Sequence, residues 1–285
     1  MCQILYMNLY TIDTGYFKLD GGAMFGVVPK SIWNKLNPAD ENNMCTWAMR
    51  CLLVESGNRL VLIDCGIGDK QNEKFYSYYY LHGENSLIGS LKKNGFSPDD
   101  ITDVIMTHLH FDHCGGAVKY NEDKKLVPTF PNARYWSNKI HWNWAEFPNF
   151  REKASFLKEN FMPLLEQERV SWCQDGDEVA PGITIYFYNG HTEAQMIPYI
   201  QFKDKTIVYC ADLMPSSAHV KPSYVMAYDV KPLISIEERL RFVSAALEKE
   251  FILFFEHDPS YACAVLEGNP ERLHARTYKY LQELV

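Results

Sequence analysis

A short stretch of the chain, Thr107-His108-Leu109-His110-Phe111-Asp112-His113, concentrates side chains that bind metal ions. It carries three imidazoles and one carboxylate, and the flexible pair Gly115-Gly116 follows it. Neutral imidazole is a ligand for Zn, Fe, Ni or Cu, and a carboxylate oxygen can share or bridge such ions. An isolated His-x-His pair is common on protein surfaces, whereas this density of ligands has little structural use. The stretch therefore predicts a metal site.

Three later residues are further candidate ligands because each directly follows an apolar segment that we predict to be a strand. Side chains at the carboxyl ends of strands can converge on one edge of a sheet, even when they are distant in sequence. A hydrogen-bonded loop residue would explain any one of these positions alone, but not all of them beside the histidine stretch. The candidates are His191, Asp212 and His257, after segments 183–188, 206–210 and 251–255.

The first half of the chain reads as strands and one capped helix. Cys51–Val54 and Leu60–Asp64 form a predicted hairpin across the turn Gly57-Asn58-Arg59. A helix is predicted from Ser86 to Asn94, with Gly95 as its stop. Asp103–Thr107 is a predicted buried strand, so the histidine stretch lies at its carboxyl end.

The second half alternates strands with helices. We expect two sheets packed on each other with helices outside, in one domain over residues 1–285 that carries a helical, aromatic-rich insert at about 138–166. The predicted strands are 1–8, 183–188, 197–202, 206–210, 251–255 and 261–266, and the predicted helices begin with the capping box Ser235–Glu238 and with Asn269-Pro270.

Composition and charge narrow the class of protein. Of 285 residues, 47% are hydrophobic and 22% are charged, as in ordinary globular domains, and the formal net charge is -8. This acidic balance argues against nucleic-acid binding, which needs a basic surface. No apolar stretch approaches the roughly 18 residues of a membrane helix, and no secretory signal is evident. Eight scattered cysteines indicate neither a disulfide framework nor a zinc ribbon. We therefore expect a cytoplasmic protein without membrane or nucleic-acid partners.

The ligand pattern resembles that of metallo-β-lactamase-fold hydrolases, His-x-His-x-Asp-His followed by a distant His, Asp and His. Within this superfamily the sequence His-Leu-His-Phe-Asp-His is similar to that of the N-acyl-homoserine lactonases. Segments 19–30, 211–215 and 225–229 are similar to the YtnP-like branch of quorum-quenching lactonases. The similarity runs from about residue 15 to about residue 260. The motif is specific for fold and metals and much less specific for substrate.

The resemblance implies a four-layer αββα sandwich with two divalent metal ions at one edge, zinc first, with Fe, Mn or Co as alternatives. It also implies that Asp64 and Thr107 are hydrogen-bond partners behind the ligands, although Asp64 alone would equally suit a turn before Gly66. The implied ligands are His108, His110 and His191 for one ion, Asp112, His113 and His257 for the other, and Asp212 between them.

The resemblance further implies a reaction, the opening of an N-acyl-homoserine lactone ring by a hydroxide that bridges the metals. Asp112 or Asp212 would move a proton to the departing alkoxide. Lactonases often hold the substrate carbonyl with a Tyr shortly after the bridging Asp, but Pro215 occupies that neighbourhood here. The nearest polar aromatic residues are His219 and Tyr224, and we predict that His219 takes part in catalysis.

Apolar and aromatic residues near the motif are predicted to hold the acyl chain of a small-molecule substrate. Packing in the core or in a homodimer interface is the alternative for these side chains, above all for the tryptophans. The predicted substrate-binding residues are Met24, Phe25, Trp47, Phe111, Trp142 and Tyr224.

Other functions of the same fold remain alternatives. An organophosphate or aryl-ester hydrolase would use the same two ions, and a hydroxyacylglutathione-type thioesterase would need a basic cluster that is not evident. A metal-binding sensor without activity is disfavoured, because all seven ligand positions hold competent residues. The sequence therefore predicts a dinuclear hydrolase of ester bonds, with a lactone as the favoured substrate.

Overall fold

Two long strands and four shorter ones build the first sheet. The structure, a computed structural model, describes residues 6–285, so most of the strand predicted at 1–8 lies outside the described residues. In spatial order the strands are β1 (Met7–Asp20), β2 (Met44–Ser56), β3 (Arg59–Ile63), β4 (Asp103–Ile105), β7 (Arg134–Ser137) and β8 (Val170–Trp172). The predicted hairpin is the antiparallel pair β2–β3, and β4, β7 and β8 run parallel to β3. A separate ribbon consists of β5 (Val118–Tyr120) and β6 (Leu126–Pro128).

The second sheet has seven strands. In spatial order they are β15 (Arg272–Tyr278), β14 (Cys263–Asn269), β13 (Ile252–Phe254), β12 (Lys205–Tyr209), β11 (Gln195–Phe202), β10 (Ile183–Tyr188) and β9 (Glu178–Ala180). β10 and β12 are both antiparallel to β11, and β13 is parallel to β12. The carboxyl ends of β10, β12 and β13 therefore meet at one edge of the sheet, which brings the segments that follow them together.

Helices cover the outer faces of the two sheets. Leu87, Leu91, Trp142 and Leu164 pack on the outer face of the first sheet, and Phe242 is among the residues that pack on the second. This order of layers confirms the predicted αββα sandwich. The helices are α1 (Gly21–Phe25), α2 (Lys30–Trp33), α3 (Glu73–Ser77), α4 (Leu87–Lys93), α5 (Phe111–Cys114), α6 (Lys139–Glu146), α7 (Met162–Glu166) and α8 (Pro232–Glu248).

The core between the sheets comes from alternate residues of their strands. Leu52 and Val54 of β2 point to the second sheet, whereas Cys51 and Leu53 point to the helices outside. Both faces of β2 are thus buried, which explains its nearly continuous apolar sequence. Among the described residues, no helix is long and apolar enough to cross a membrane.

Three predicted elements differ from the structure. The prediction of a helix at Asn269-Pro270 is wrong, because these residues join β14 to β15. The Asn269 side chain accepts hydrogen bonds from the amides of Glu271 and Arg272, which stabilise the turn. Helix α8 begins at Pro232 and not at the expected capping box, since proline suits the first helical turn. Within 138–166 only α6, α7 and a short 3-10 turn are helical.

Candidate metal centre

The histidine stretch leaves β4 as extended chain and then enters the single turn α5. The turn is anchored to the loop after β3, where the amide of Cys65 donates to the His113 carbonyl at 2.7 Å and that of Gly116 donates to Gly66 at 3.0 Å. Gly115 has no room for a side chain, because a Cβ there would collide with the Ile67 carbonyl. The small residues after the motif therefore allow α5 to lie directly on this loop.

Three histidines and one aspartate form the first ligand group. His110 Nδ1 lies 3.0 Å from His108 Nε2 and 3.2 Å from His191 Nε2. Asp212 Oδ2 lies 3.0 Å from His191 Nε2. One donor atom from each of the four side chains lies within 4.8 Å of the others, and all four residues are buried.

Asp112, His113 and His257 form the second ligand group beside the first. The Nε2 atoms of His113 and His257 are 3.1 Å apart, and Asp112 Oδ2 lies 3.8 Å from each of them. Asp212 reaches this group too, with Oδ1 3.1 Å from His257 Nε2. Its Oδ2 also lies 3.6 Å from His113 Nε2, so the carboxylate of Asp212 lies between the two groups and is close to both.

The chemistry of the donors fits divalent metal ions. Neutral imidazole has one N–H, so nitrogens that face one another in this way cannot all be satisfied by mutual hydrogen bonds. Asp212 Oδ1 and His110 Nε2 are buried and have no hydrogen-bond partner among the described residues. Without bound metal, burial acts to raise the pKa of Asp212, but charge interactions with protonated His191, His113 and His257 outweigh it and hold that pKa well below its usual range. An ionised carboxylate among imidazole nitrogens is a donor set for a borderline metal such as zinc.

Asp64 and Thr107 lie behind the ligands, where they were expected. Asp64 accepts from the amide and hydroxyl of Thr107 at 2.8 and 2.7 Å, and its Oδ2 lies 3.1 Å from His113 Nδ1. Thr107 Oγ1 lies 3.1 Å from His108 Nδ1. A group on the outer nitrogen of each ring fixes which nitrogen faces the metal.

Other outer partners were missed by sequence reasoning. Asp229 Oδ1 lies 2.9 Å from His191 Nδ1, Glu256 Oε2 lies 2.9 Å from His113 Nδ1, and Glu152 Oε1 lies 3.4 Å from His110 Nε2. Glu256 directly precedes a candidate ligand and Asp229 ends the segment 225–229, so position offered a signal for these two residues. Glu152 lies in an irregular segment, and no feature of the sequence there indicated that it would lie beside a candidate ligand.

A cavity of about 410 Å³ opens onto both ligand groups. Met24 and Phe111 line it, as expected for substrate contacts, and so do Tyr79, Arg151 and Tyr228, which were not predicted. The remaining lining residues are Leu19, His110, Asp112, Glu152, Ala154, Ser155, His191, Asp212, Met226, Ala227 and His257.

Four predicted contacts do not line this cavity. Phe25 is buried between the rings of Trp33 and His219, at centroid distances of 5.3 and 4.6 Å, and Trp47 packs beside them. Trp142 packs edge-on against two aromatic rings in the core beneath α6. Tyr224 lines a separate surface cavity. These side chains serve packing, which was the alternative for them.

The predicted role of His219 in catalysis is not supported by its surroundings. It is fully buried, with Nδ1 2.7 Å from Ser216 Oγ and Nε2 2.9 Å from the Met24 carbonyl. Both ring nitrogens are therefore occupied within the protein. Burial and the nearby Arg239 lower the pKa of His219 to about 3, so the ring is neutral.

Comparison with known proteins gives consistent results along the chain. A family model described as Metallo-beta-lactamase superfamily matches residues 50–264. An N-acyl homoserine lactonase of Bacillus cereus is 24% identical over 267 residues, which cover 88% of this chain and 93% of that protein. A crystal structure of a probable metal-dependent hydrolase from Staphylococcus aureus has a TM-score of 0.88 and 28% identity, and covers 96% of this chain and 97% of its own.

A second solved structure is AidC, a dizinc quorum-quenching lactonase in complex with the product N-hexanoyl-L-homoserine. Its TM-score is 0.80 at 20% identity, over 98% of this chain and 97% of its own. The architecture is thus shared along nearly the whole length of these proteins.

Proposed function

The chain belongs to the metallo-β-lactamase superfamily and is a metal-dependent hydrolase of ester bonds, and we propose that it opens the ring of N-acyl-homoserine lactones with two metal ions in its centre. Asp212 carries the dinuclear part of this proposal. Its Oδ2 lies 3.0 Å from His191 Nε2 of the first group, and its Oδ1 lies 3.1 Å from His257 Nε2 of the other group. A carboxylate in this position suits a ligand that bridges two ions.

The cavity supports a substrate with an acyl chain. Leu19, Met24, Phe111 and Met226 give it apolar walls above the ligand groups. Phe111 is held in place by Tyr79, whose ring centroid is 4.6 Å away. An apolar cavity with a few convergent polar groups is the usual form of a small-molecule site.

Within this site the residues of the chain would divide the work. Seven side chains would hold the two ions, which supply a Lewis acid for the carbonyl and make a water molecule acidic enough to attack at neutral pH. Asp112 belongs to the second ligand group and also lines the cavity, so its carboxylate would carry a proton towards the departing alkoxide. One ion would be bound by His108, His110, His191 and Asp212. The other would be bound by Asp112, His113, His257 and Asp212.

Tyr228 is the residue that we propose to hold the substrate carbonyl in place of the missing tyrosine after Asp212. It lines the cavity and is 38% exposed, and its partial removal from water, followed by the charges of Tyr79, Asp112, Asp20 and Asp212, raises its pKa. Its hydroxyl is therefore a hydrogen-bond donor at neutral pH. Zinc is the proposed ion for both positions, because a histidine-rich set with carboxylate oxygens suits it.

The test is proton release from N-butanoyl- and N-decanoyl-homoserine lactone by zinc-loaded protein. We expect ring opening that Asp112→Asn abolishes and that Tyr228→Phe slows by about 100-fold, the usual cost of one donor at a reacting oxygen. An exposed tyrosine away from the cavity, Tyr120→Phe, is the matched control and should leave the rate unchanged.

Two results would contradict the proposal. If protein with two bound ions leaves both lactones intact, it is not a lactonase of this class. Assays with a phosphate triester, an aryl ester and a hydroxyacylglutathione would then identify the substrate class. Protein that binds one ion and is fully active would refute the dinuclear site.

A further inference from the structure

Glu152 has an unusual position beside the ligand groups. It is 3% exposed, and its Oε2 accepts hydrogen bonds from Trp144 Nε1 at 2.7 Å and from Asn149 Nδ2 at 2.6 Å. Its Oε1 has no hydrogen-bond partner among the described residues and lies 3.4 Å from His110 Nε2, which has none either. One oxygen thus anchors the side chain, and the other is turned towards the ring of a candidate ligand.

The other nitrogen of the His110 ring faces two further candidate ligands. His110 Nδ1 faces His108 Nε2 and His191 Nε2 at 3.0 and 3.2 Å. It can offer a lone pair to a metal ion only if the proton of the neutral ring is on Nε2. That N–H then lies opposite Glu152 Oε1.

We propose that Glu152 is a positioning residue that accepts a hydrogen bond from His110 Nε2 and so holds Nδ1 towards the metal ion. The proposal rests on the metal centre proposed above and gives a function to a residue that takes no part in the reaction proposed there. The bond fixes the tautomer of His110, keeps its ring from turning and makes Nδ1 a stronger donor.

The arrangement around Glu152 argues against a purely structural role. Both bonds to Trp144 and Asn149 use the same oxygen, so Oε1 takes no part in these two contacts with the irregular segment. An unpaired carboxylate oxygen in the interior is costly, and such groups are rare unless they have another partner. His191 has a carboxylate on its outer nitrogen in the same way, from Asp229. Glu152 would give His110 the equivalent partner.

The experiment measures metal binding without substrate. Zinc affinity of the metal-free protein is determined by competition with a chromophoric chelator for wild type, Glu152→Gln and Trp144→Phe. Glutamine keeps an oxygen for Trp144 and Asn149 but presents an amide group, or a neutral oxygen, to His110. We expect Glu152→Gln to bind one of the two ions about 10- to 100-fold more weakly and the other as tightly as wild type.

Trp144→Phe is the matched control, because it removes one bond to Oε2 and leaves Oε1 beside His110. We expect its zinc affinities to match those of wild type. The Nε2–H proton of His110 in the zinc-loaded protein provides a second readout by nuclear magnetic resonance. It should appear at low field in wild type and Trp144→Phe and shift to higher field in Glu152→Gln.

Equal zinc affinity and an unshifted His110 proton in Glu152→Gln would overturn the proposal. So would equal losses of affinity in Glu152→Gln and Trp144→Phe, since these would reflect the loop and not the bond to His110. If Glu152→Gln does not fold without metal, the His110 proton of protein expressed with zinc decides the question. None of these readouts needs a lactone, so they remain valid if the protein acts on another substrate.

Discussion

At the scale of single residues, each candidate ligand histidine is held by a different group on its outer nitrogen. His257 Nδ1 lies 2.8 Å from the Ala48 carbonyl, His191 has Asp229 and His113 has Asp64. A carboxylate gives the ring more donor strength than a neutral carbonyl does. The candidate ligands are therefore oriented by residues outside the two ligand groups.

His219 illustrates a different use of the same side chain. Its neutral ring accepts from Ser216, donates to the Met24 carbonyl and stacks on Phe25, with planes 5° apart. The ring joins α1 to the segment after Asp212 and lies next to the wall of the cavity. Its depressed pKa, to about 3, makes it a determinant of stability at low pH.

We predict that His219→Gln reduces the loss of stability in acid. The unfolded ring has a pKa near 6.5, so its contribution is complete above this pH and is lost as pH falls towards about 3, because the unfolded chain takes up a proton that the folded protein excludes. Between pH 6 and 4 the free energy of unfolding of wild type should fall by up to about 1.4 kcal/mol per pH unit more than that of the variant.

Urea unfolding of the metal-free proteins across this range is the measurement. Metal release then plays no part, and the titration of the other histidines is common to both proteins. Parallel curves for wild type and His219→Gln would show that the ring is charged in the folded state.

The side chains that could touch a metal were predictable from the sequence, but most of the hydrogen-bond partners on their outer nitrogens were not. Histidine and aspartate at motif spacing carry their chemistry in their identity, so all seven candidates could be named. A buried glutamate such as Glu152 gains its role only from distant chain that packs beside it. His219 was misassigned for the same reason, since nothing in the sequence shows that both of its nitrogens are occupied.

At the scale of elements, the segment 138–157 clamps the histidine stretch onto the second sheet. His141 Nε2 accepts from the amide of Leu109 at 2.9 Å, and its Nδ1 lies 2.6 Å from the Glu193 carbonyl. Asn138 Nδ2 donates to the Ala194 carbonyl at 2.9 Å. One ring thus ties the loop of His108–His113 to the loop that carries His191.

We predict that His141→Ala lowers the free energy of unfolding by about 2–4 kcal/mol. The variant leaves the Leu109 amide and the Glu193 carbonyl without partners in the interior, and each such group costs about 1–3 kcal/mol. Urea unfolding of the zinc-loaded protein measures the change. Asn143→Ala, on the exposed side of α6, is the control and should change stability by less than about 0.5 kcal/mol. Equal stability of the two variants would show that the clamp is not needed.

The elements themselves were predictable to different degrees. The hairpin β2–β3 and helix α4 were found because turn and capping residues mark their ends, as Ser86 does by accepting from the amide of Gly89. The turn at Asn269-Pro270 was mistaken for a helix start, because asparagine before proline suits both. Only the pairing of β14 with β15 distinguishes the two.

At the scale of the whole molecule, the two sheets contribute different halves of the centre. His108, His110, Asp112 and His113 follow β4 of the first sheet, and His191, Asp212 and His257 follow strands of the second. Each ligand group contains residues from both sheets. Metal ions bound there would connect the two halves of the sandwich.

We therefore predict that removing metal destabilises the entire protein. Free zinc at about 100 times its dissociation constant would add about 2.7 kcal/mol per site to the free energy of unfolding. Thermal unfolding after treatment with a chelator should occur at a lower temperature, and added zinc should restore it. Asp212→Asn, which weakens both groups, should respond much less to zinc. A melting temperature that does not depend on zinc would contradict this prediction.

The division of the ligands between the sheets also has a consequence for biosynthesis. The ribosome releases the stretch of His108–His113 long before it has made the strand that precedes His257. Until then the nascent chain can offer a cation only an incomplete and weak site, which reduces capture of the wrong ion on partly folded protein. Loading would then be a late maturation step, and a full complement of metal would mark a chain whose two halves have docked.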